Sequence, residues 1–329
     1  MAITKAIIPV AGYGVRRLPI TKSIEKCMLP IGNRPLVDYV VQDCILAGIT
    51  EIYFVVSGNN TQLESYYSDN NQLNQYLIKN NKTNYLPLIK PPSVQFHYIV
   101  QPVDGKLDLR KTSHPSGNTS TSSKDIFSGG GDPVGSSTTE KWPMDGDSVS
   151  EGAGILRKSS KYGTAIPVSL VMPMIDNGES VVVLTGDDFV YNSDGSSEVA
   201  RLLNATPSGG NAILGVNVEL DQVSRYGVLQ IDDDNNYINI VERPTIEDAP
   251  STLINISKYV FNYDLLKTIE NYSNMTVEGE YYITEAINQY VNAGGKVKVV
   301  PAVGEYLDGG SLEGWLRANN VVVGGENRG

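Results

Sequence analysis

Cysteine, histidine and basic charge are all scarce in this chain of 329 residues, and each scarcity removes a class of function. Cys27 and Cys44 are too few for a metal cluster or a disulfide framework, and free thiols in a reducing compartment suit them best. The two histidines, His97 and His114, have no Ser, Cys or Asp pattern beside them that would build a nucleophilic triad. His97 lies in an apolar run and reads as a core or edge residue, His114 as a solvated one. With 26 basic against 37 acidic residues, a net charge of -11 argues against nucleic acid or an anionic membrane as the main partner. No run reaches the ~18 apolar residues of a membrane span, and Met1 to Lys5 leads directly into a strand without a secretory apolar region. A cytoplasmic protein is expected.

Against that acidic background, one basic stretch stands out. Ala6 to Val10 is an apolar run that reads as a buried parallel strand, and it enters a loop carrying Gly12, Gly14, Arg16, Arg17, Lys22 and Lys26. Gly12 and Gly14 allow positive φ and a close backbone approach, so backbone N–H groups and four cations can converge on a polyphosphate. The loop is not a P-loop, because G-x-x-x-x-G-K-[ST] is absent. Nor is it a dinucleotide fingerprint, since Arg17 stands where the third glycine would be.

Further along, Pro35 to Gly48 has the apolar spacing of a crossover helix, and Glu51 to Ser57 and Gln95 to Gln101 read as further strands, with a helix between them in Asn60 to Tyr85. This βαβαβ order predicts an α/β fold with a doubly wound sheet and ligands at the carboxyl ends of its strands. From about 103 to 160 the composition turns to Gly, Ser, Thr, Asp and Lys without periodicity, the mark of a low-complexity insertion within a single domain spanning 1–329. Gly163 and Thr164 open a short helix. Ser180 to Gly186 is the most apolar strand and delivers Asp187 to the sheet edge, with Asp188 a weaker candidate. Later strands are expected at Ala212 to Val218, Tyr226 to Ile231, Tyr237 to Glu242, Leu253 to Phe261 and Lys296 to Val303. Helices are expected at Ser197 to Asn204, Asp264 to Tyr272, Tyr282 to Ala293 and Leu312 to Val321. Asp308 follows the last strand, where Gly309 and Gly310 permit a sharp turn. Taken alone each aspartate reads first as a cap or turn residue, although two carboxylates with phosphate oxygens would suit Mg²⁺.

The motif G-Y-G-V-R-R-L-P followed by T-K-S-I-E-K-C-M-L-P resembles the signature loop of the nucleotide-sugar pyrophosphorylases, most of all the bacterial-type UTP–glucose-1-phosphate uridylyltransferases. The family's usual form is G-x-G-T-R-x-L-P and T-K-x-I-P-K-E-M-L-P, so Val15, Glu25 and Cys27 depart from it while the glycines, Arg16 and Lys26 are kept. The resemblance covers nearly the whole chain apart from the insertion and implies a Rossmann-like mixed sheet. It places metal-binding aspartates at Asp187 and Asp308. It also places base contacts at Ala11, Gly12, Gln101 and Gly163, with Gly14 in the nucleotide loop. I-V-E-R-P resembles the family's V-E-K-P, which assigns sugar hydroxyls to Glu242 and the sugar phosphate to Arg243, with the Gly227 backbone approaching the sugar. Gly279 to Glu285 resembles a segment that helps close the sugar site, and Lys258 falls on a basic position read as structural.

What the resemblance implies chemically is in-line attack by a phosphate oxygen of glucose 1-phosphate on the α-phosphorus of UTP, giving UDP-glucose and pyrophosphate with Mg²⁺. The nucleophile is already ionised, so alignment and charge neutralisation suffice, with Arg16 at the pyrophosphate and Lys26 at the reacting centre. A homo-oligomer, dimer or tetramer, is expected. Two rival readings remain open. One is a thymidylyl- or guanylyltransferase on another sugar 1-phosphate. The other is a non-catalytic nucleotide-sugar sensor, suggested by Val15, Glu25, Cys27 and Arg243 and opposed by the retained Asp187 and Asp308.

Overall fold

The computed structural model describes residues 2–58, 61–101, 108–109 and 161–326; the expected insertion at 103–160, His114 within it, lies almost wholly outside the described residues. The four-stranded heart of the sheet is parallel, in the order Val181–Leu184, Lys5–Pro9, Glu51–Val56, Gln95–Val100. Successive residues of these strands bury on opposite faces, Ile7, Val181 and Val183 in one cluster and Ala6, Ile8, Val182 and Leu184 in the other. A sheet apolar on both faces must be covered on both, and this one is. The helix Leu36–Leu46 turns Leu36, Val37, Val40, Val41 and Cys44 into the cluster of Ala6, Ile8, Val182 and Leu184, and the helices Ala165–Val171, Tyr263–Asn274 and Ile283–Asn292 cover the face of Ile7, Val181 and Val183.

Beyond Val181–Leu184 the sheet becomes antiparallel, through Leu253–Phe261, which pairs with Asn211–Asn217 and touches Gly227–Ile231, itself paired with Tyr237–Glu242. Val297–Pro301 adds in parallel beside Asn211–Asn217. The long strand Leu253–Phe261 carries a register shift between Asn255 and Lys258, with Ser257 at φ 52°. Such a bulge re-aims the residue after it. Here the residue is Lys258, whose ammonium ends on the buried Asp188 carboxylate at 2.7 Å.

Three expectations need correction. The Asn60 to Tyr85 stretch holds two short helices, Gln62–Tyr66 and Asn71–Lys79, and a 3-10 segment, because Asn70 caps the second helix afresh by accepting from the Leu73 N–H. Asp308 does not follow the Val297–Pro301 strand directly. It ends a further strand, Glu305–Asp308, paired antiparallel with Asp188–Tyr191, and neither of these was expected. Asp188 is not a cap but the buried partner of Lys258, also bonded by Thr185 Oγ1 at 2.7 Å and the Tyr306 hydroxyl at 2.8 Å. His97 stacks on Tyr53 and faces Glu51 at 3.5 Å, a structural setting. Among the described residues, no helix is long and apolar enough to cross a membrane.

Candidate active site

The loop leaving the first strand is wound from three 3-10 turns, Val15–Arg17, Ile20–Lys22 and Lys26–Met28. Gly14 closes it. At φ 63° a Cβ there would lie 2.9 Å from Thr21 Cγ2 and 3.1 Å from Lys26 Cβ, so only glycine lets the loop double back. Gly12 needs no such exemption. Its φ is ordinary and nothing lies within 4 Å of its Cβ position, so its contribution is an uncovered backbone beside Ala11. Gly12, Thr21, Lys22, Lys26 and Ser57 line a cleft of about 250 Å³.

Lys26 reaches across to form an ion pair with Asp187, which the parallel strand Val181–Leu184 delivers to the carboxyl edge of the sheet. Burial opposes the Asp187 charge, but Lys26, then Lys258 and Arg16, outweigh it and hold the carboxyl below the usual range. Burial pushes the Asp188 carboxyl the other way; Lys258 counters and the Asp187 charge adds to the push. Asp308 joins the group through the turn after it. Its Oδ1 accepts from the Gly310 N–H at 2.7 Å and its Oδ2 from Ser311 Oγ at 3.2 Å, and the Gly309 N–H donates to the Asp187 carbonyl at 3.1 Å. A Cβ on Gly310 would meet Asp308 Oδ1 at 2.8 Å and Lys26 Nζ at 3.3 Å, so ammonium and carboxylate flank one bare Cα. Asp308 is thus both a turn residue and a member of the charged cluster.

Of the loop cations, Arg16 is exposed, whereas Arg17 does not face the cleft as expected. It is 6% exposed and directs Nη1 to the Ser311 carbonyl at 2.5 Å, with its guanidinium over the Trp315 ring at 5.3 Å. Burial lowers the Arg17 pKa while the Asp308 charge opposes that loss.

On the far side, Gly227 and Glu242 are paired across antiparallel strands, and a Cβ on Gly227 would sit 3.0 and 3.1 Å from the Glu242 carboxylate oxygens. Partial burial raises the Glu242 pKa and Arg243 pulls it back. Arg243 is exposed, sits at φ 46° and donates its N–H to the Tyr226 carbonyl at 3.0 Å. Tyr226 in turn meets Tyr306 edge-on at 6.3 Å, and Tyr306 bonds Asp188, which links this side to the aspartates. Sequence alone assigned neither tyrosine a role of its own; the pairing of Glu305–Asp308 with Asp188–Tyr191 is what brings Tyr306 to Asp188.

Gln101 ends the Gln95–Val100 strand, its N–H on the Val56 carbonyl at 2.8 Å. Gly163 has φ 127°, and a Cβ there would strike the Tyr281 backbone N at 2.4 Å, so the segment Gly279 to Glu285 packs directly on it. Cys27 is buried in the core, its thiol pushed up by burial first and by the Glu25 charge second, so no anion stands there. Glu25 is clasped by Gln62, each accepting the other's backbone N–H, at 2.9 and 3.0 Å. Among the described residues, no group of three or more His, Cys, Asp or Glu could hold a metal alone. Asp187, paired with Lys26, and Asp308, which shares the neighbourhood of Gly310 with that ammonium, are hard oxygen donors of the type that suits Mg²⁺ where substrate phosphates complete its shell.

Comparison with known proteins identifies the family of the chain. The sequence pattern of the family described as "Nucleotidyl transferase" matches residues 5–112 and 138–323. A UTP–glucose-1-phosphate uridylyltransferase of Pseudomonas aeruginosa is 27% identical over 97% of this chain and 95% of its own length. A protein of Methanocaldococcus jannaschii, described as a putative enzyme of that name, is 28% identical over 98% and 94%. Among solved structures, a UTP-bound UGPase from Acinetobacter baumannii superposes with a TM-score of 0.72 at 22% identity, covering 97% of this chain and 93% of that one. A UDP-glucose pyrophosphorylase complexed with UDP-glucose gives 0.67 at 23%, covering 98% and 99%. These two share the mixed α/β fold. The loop after the first strand, its Lys26 and the aspartates at the sheet edge fall inside the matched residues, and the chain belongs to the nucleotidyl transferase family.

Proposed function

We propose that this protein is a UTP–glucose-1-phosphate uridylyltransferase that joins glucose 1-phosphate to the uridylyl group of UTP and releases pyrophosphate. The observation that carries the reading is the meeting of Lys26, Asp187 and Asp308 at the end of the phosphate-type loop. The names of the full-length relatives support the substrate pair. Asp187 and Asp308 would hold Mg²⁺, whose chemistry is to neutralise phosphate charge. Lys26, paired with Asp187 before substrate arrives, is placed to move onto the α-phosphate, and exposed Arg16 onto the departing pyrophosphate. Ala11, Gly12, Gln101 and Gly163 would receive the base. Glu242 would accept from sugar hydroxyls, Gly227 giving it room.

Pyrophosphate release measured over four nucleoside triphosphates and several sugar 1-phosphates, with Mg²⁺ present, tests the proposal. UTP with glucose 1-phosphate should be the best pair. A higher kcat/KM for a thymidine or guanosine nucleotide would replace it. Arg243→Ala should raise the KM for glucose 1-phosphate by about tenfold or more and leave that for UTP near its starting value, since a lost charged contact costs about 1.5–3 kcal/mol. Equal losses for both substrates would place Arg243 elsewhere.

A further inference from the structure

Arg17 is next to an exposed arginine in the basic loop after the first strand, yet it is buried and turned away from the cleft. Its guanidinium ends on backbone carbonyls, Ser311 at 2.5 Å and Gly309 at 3.4 Å. Those two residues bracket Gly310, so the contacts grip both sides of the turn that follows Asp308. The same turn supplies the donors of the Asp308 carboxylate, the Gly310 N–H and Ser311 Oγ, and ties to the Asp187 carbonyl through the Gly309 N–H. One guanidinium therefore connects the loop carrying Arg16 and Lys26 to the turn that sets Asp308 against Asp187. Both bonds come from Nη1, and the rest of the planar guanidinium lies over the Trp315 ring, a stacked seat that a compact ammonium would not fill.

We propose that Arg17 is a positioning residue that locks the Asp308 turn to the phosphate-binding loop and so keeps Asp187 and Asp308 at the spacing a divalent cation bound with nucleotide requires. The inference rests on the metal reading of these aspartates given under Proposed function. The last helix has anchors of its own. Trp315 Nε1 donates to the Pro30 carbonyl at 2.7 Å, and Asn319 Oδ1 accepts from the Gly32 N–H at 2.9 Å. Loss of Arg17 should thus loosen the turn and leave the helix docked.

The test is UTP binding by calorimetry with EDTA and then with Mn²⁺ as the probe cation, for the wild type, Arg17→Met and Arg17→Lys. The quantity read is the gain in UTP affinity on adding Mn²⁺. Arg17→Met should lose about tenfold of that gain, the size typical of groups that orient metal ligands, with metal-free UTP affinity changed less than about twofold. Arg17→Lys should recover part of it, and carries the test if Arg17→Met does not fold. A full gain in a folded variant whose thermal midpoint alone has dropped would make Arg17 a packing residue and overturn the inference. So would an equal loss with and without Mn²⁺, which would make it a phosphate ligand. No gain in the wild type would overturn the metal reading itself and the inference with it.

Discussion

Asparagine in place of Asp187 or Asp308 should lower kcat by at least ~100-fold, about 2.7 kcal/mol of lost transition-state stabilisation, in protein that stays folded. A neutral amide keeps the shape and the turn contacts but holds Mg²⁺ poorly. At position 308 the amide oxygen can still accept from the Gly310 N–H, so the turn before the last helix should survive. At position 187 the Lys26 ammonium loses its carboxylate and becomes a cation without a fixed place. Steady-state kinetics beside circular dichroism of each variant measure this. Near-normal turnover of either folded variant would remove that aspartate from the metal site.

The second large effect is structural. Lys258→Met should destabilise the fold by about 3–5 kcal/mol, because it strands the Asp188 carboxylate in the core with its main counter-charge gone. Thr185 and Tyr306 would still donate to it, but neither carries charge. The sign of the pH dependence follows. Asp188 already has its pKa raised by burial, and without Lys258 it rises further above the unfolded value. A carboxyl raised in the folded state costs stability as pH climbs through its folded pKa, so the deficit should shrink on acidification, when the group takes up a proton. Asp188→Asn added to Lys258→Met should restore part of the loss at neutral pH. Urea unfolding of the single and double variants at two pH values is the check. A single variant as stable as the wild type would show that the pair contributes no net stability.

Much of this was legible in the order of residues, and for local reasons. The alternating burial of Val181 to Leu184 and the spacing of Leu36 to Cys44 follow from strand and helix periodicity, which any stretch of chain expresses by itself. Gly14 had to be a glycine for a turn, and it is. Asp187 was placed at the sheet edge because an apolar parallel strand must end there. The resemblance of the loop motif then pointed to the family that the comparisons show.

What periodicity could not express was partnership across distance. Asp188–Tyr191 and Glu305–Asp308 are four residues each, too short to announce themselves, and they exist as strands because they pair with each other. Arg16 and Arg17 are the same residue type side by side; one is exposed, and the other is buried because Ser311, Gly309 and Trp315 arrive from the far end of the chain. Lys258 reads as one more basic residue until the bulge before it aims it at Asp188. Composition and spacing determined the layers, the loop and the carboxylates on offer. Which of two adjacent charges is exposed and which is buried within the fold was decided only in three dimensions, because the cost of burying a charge depends on what the folded chain brings to meet it.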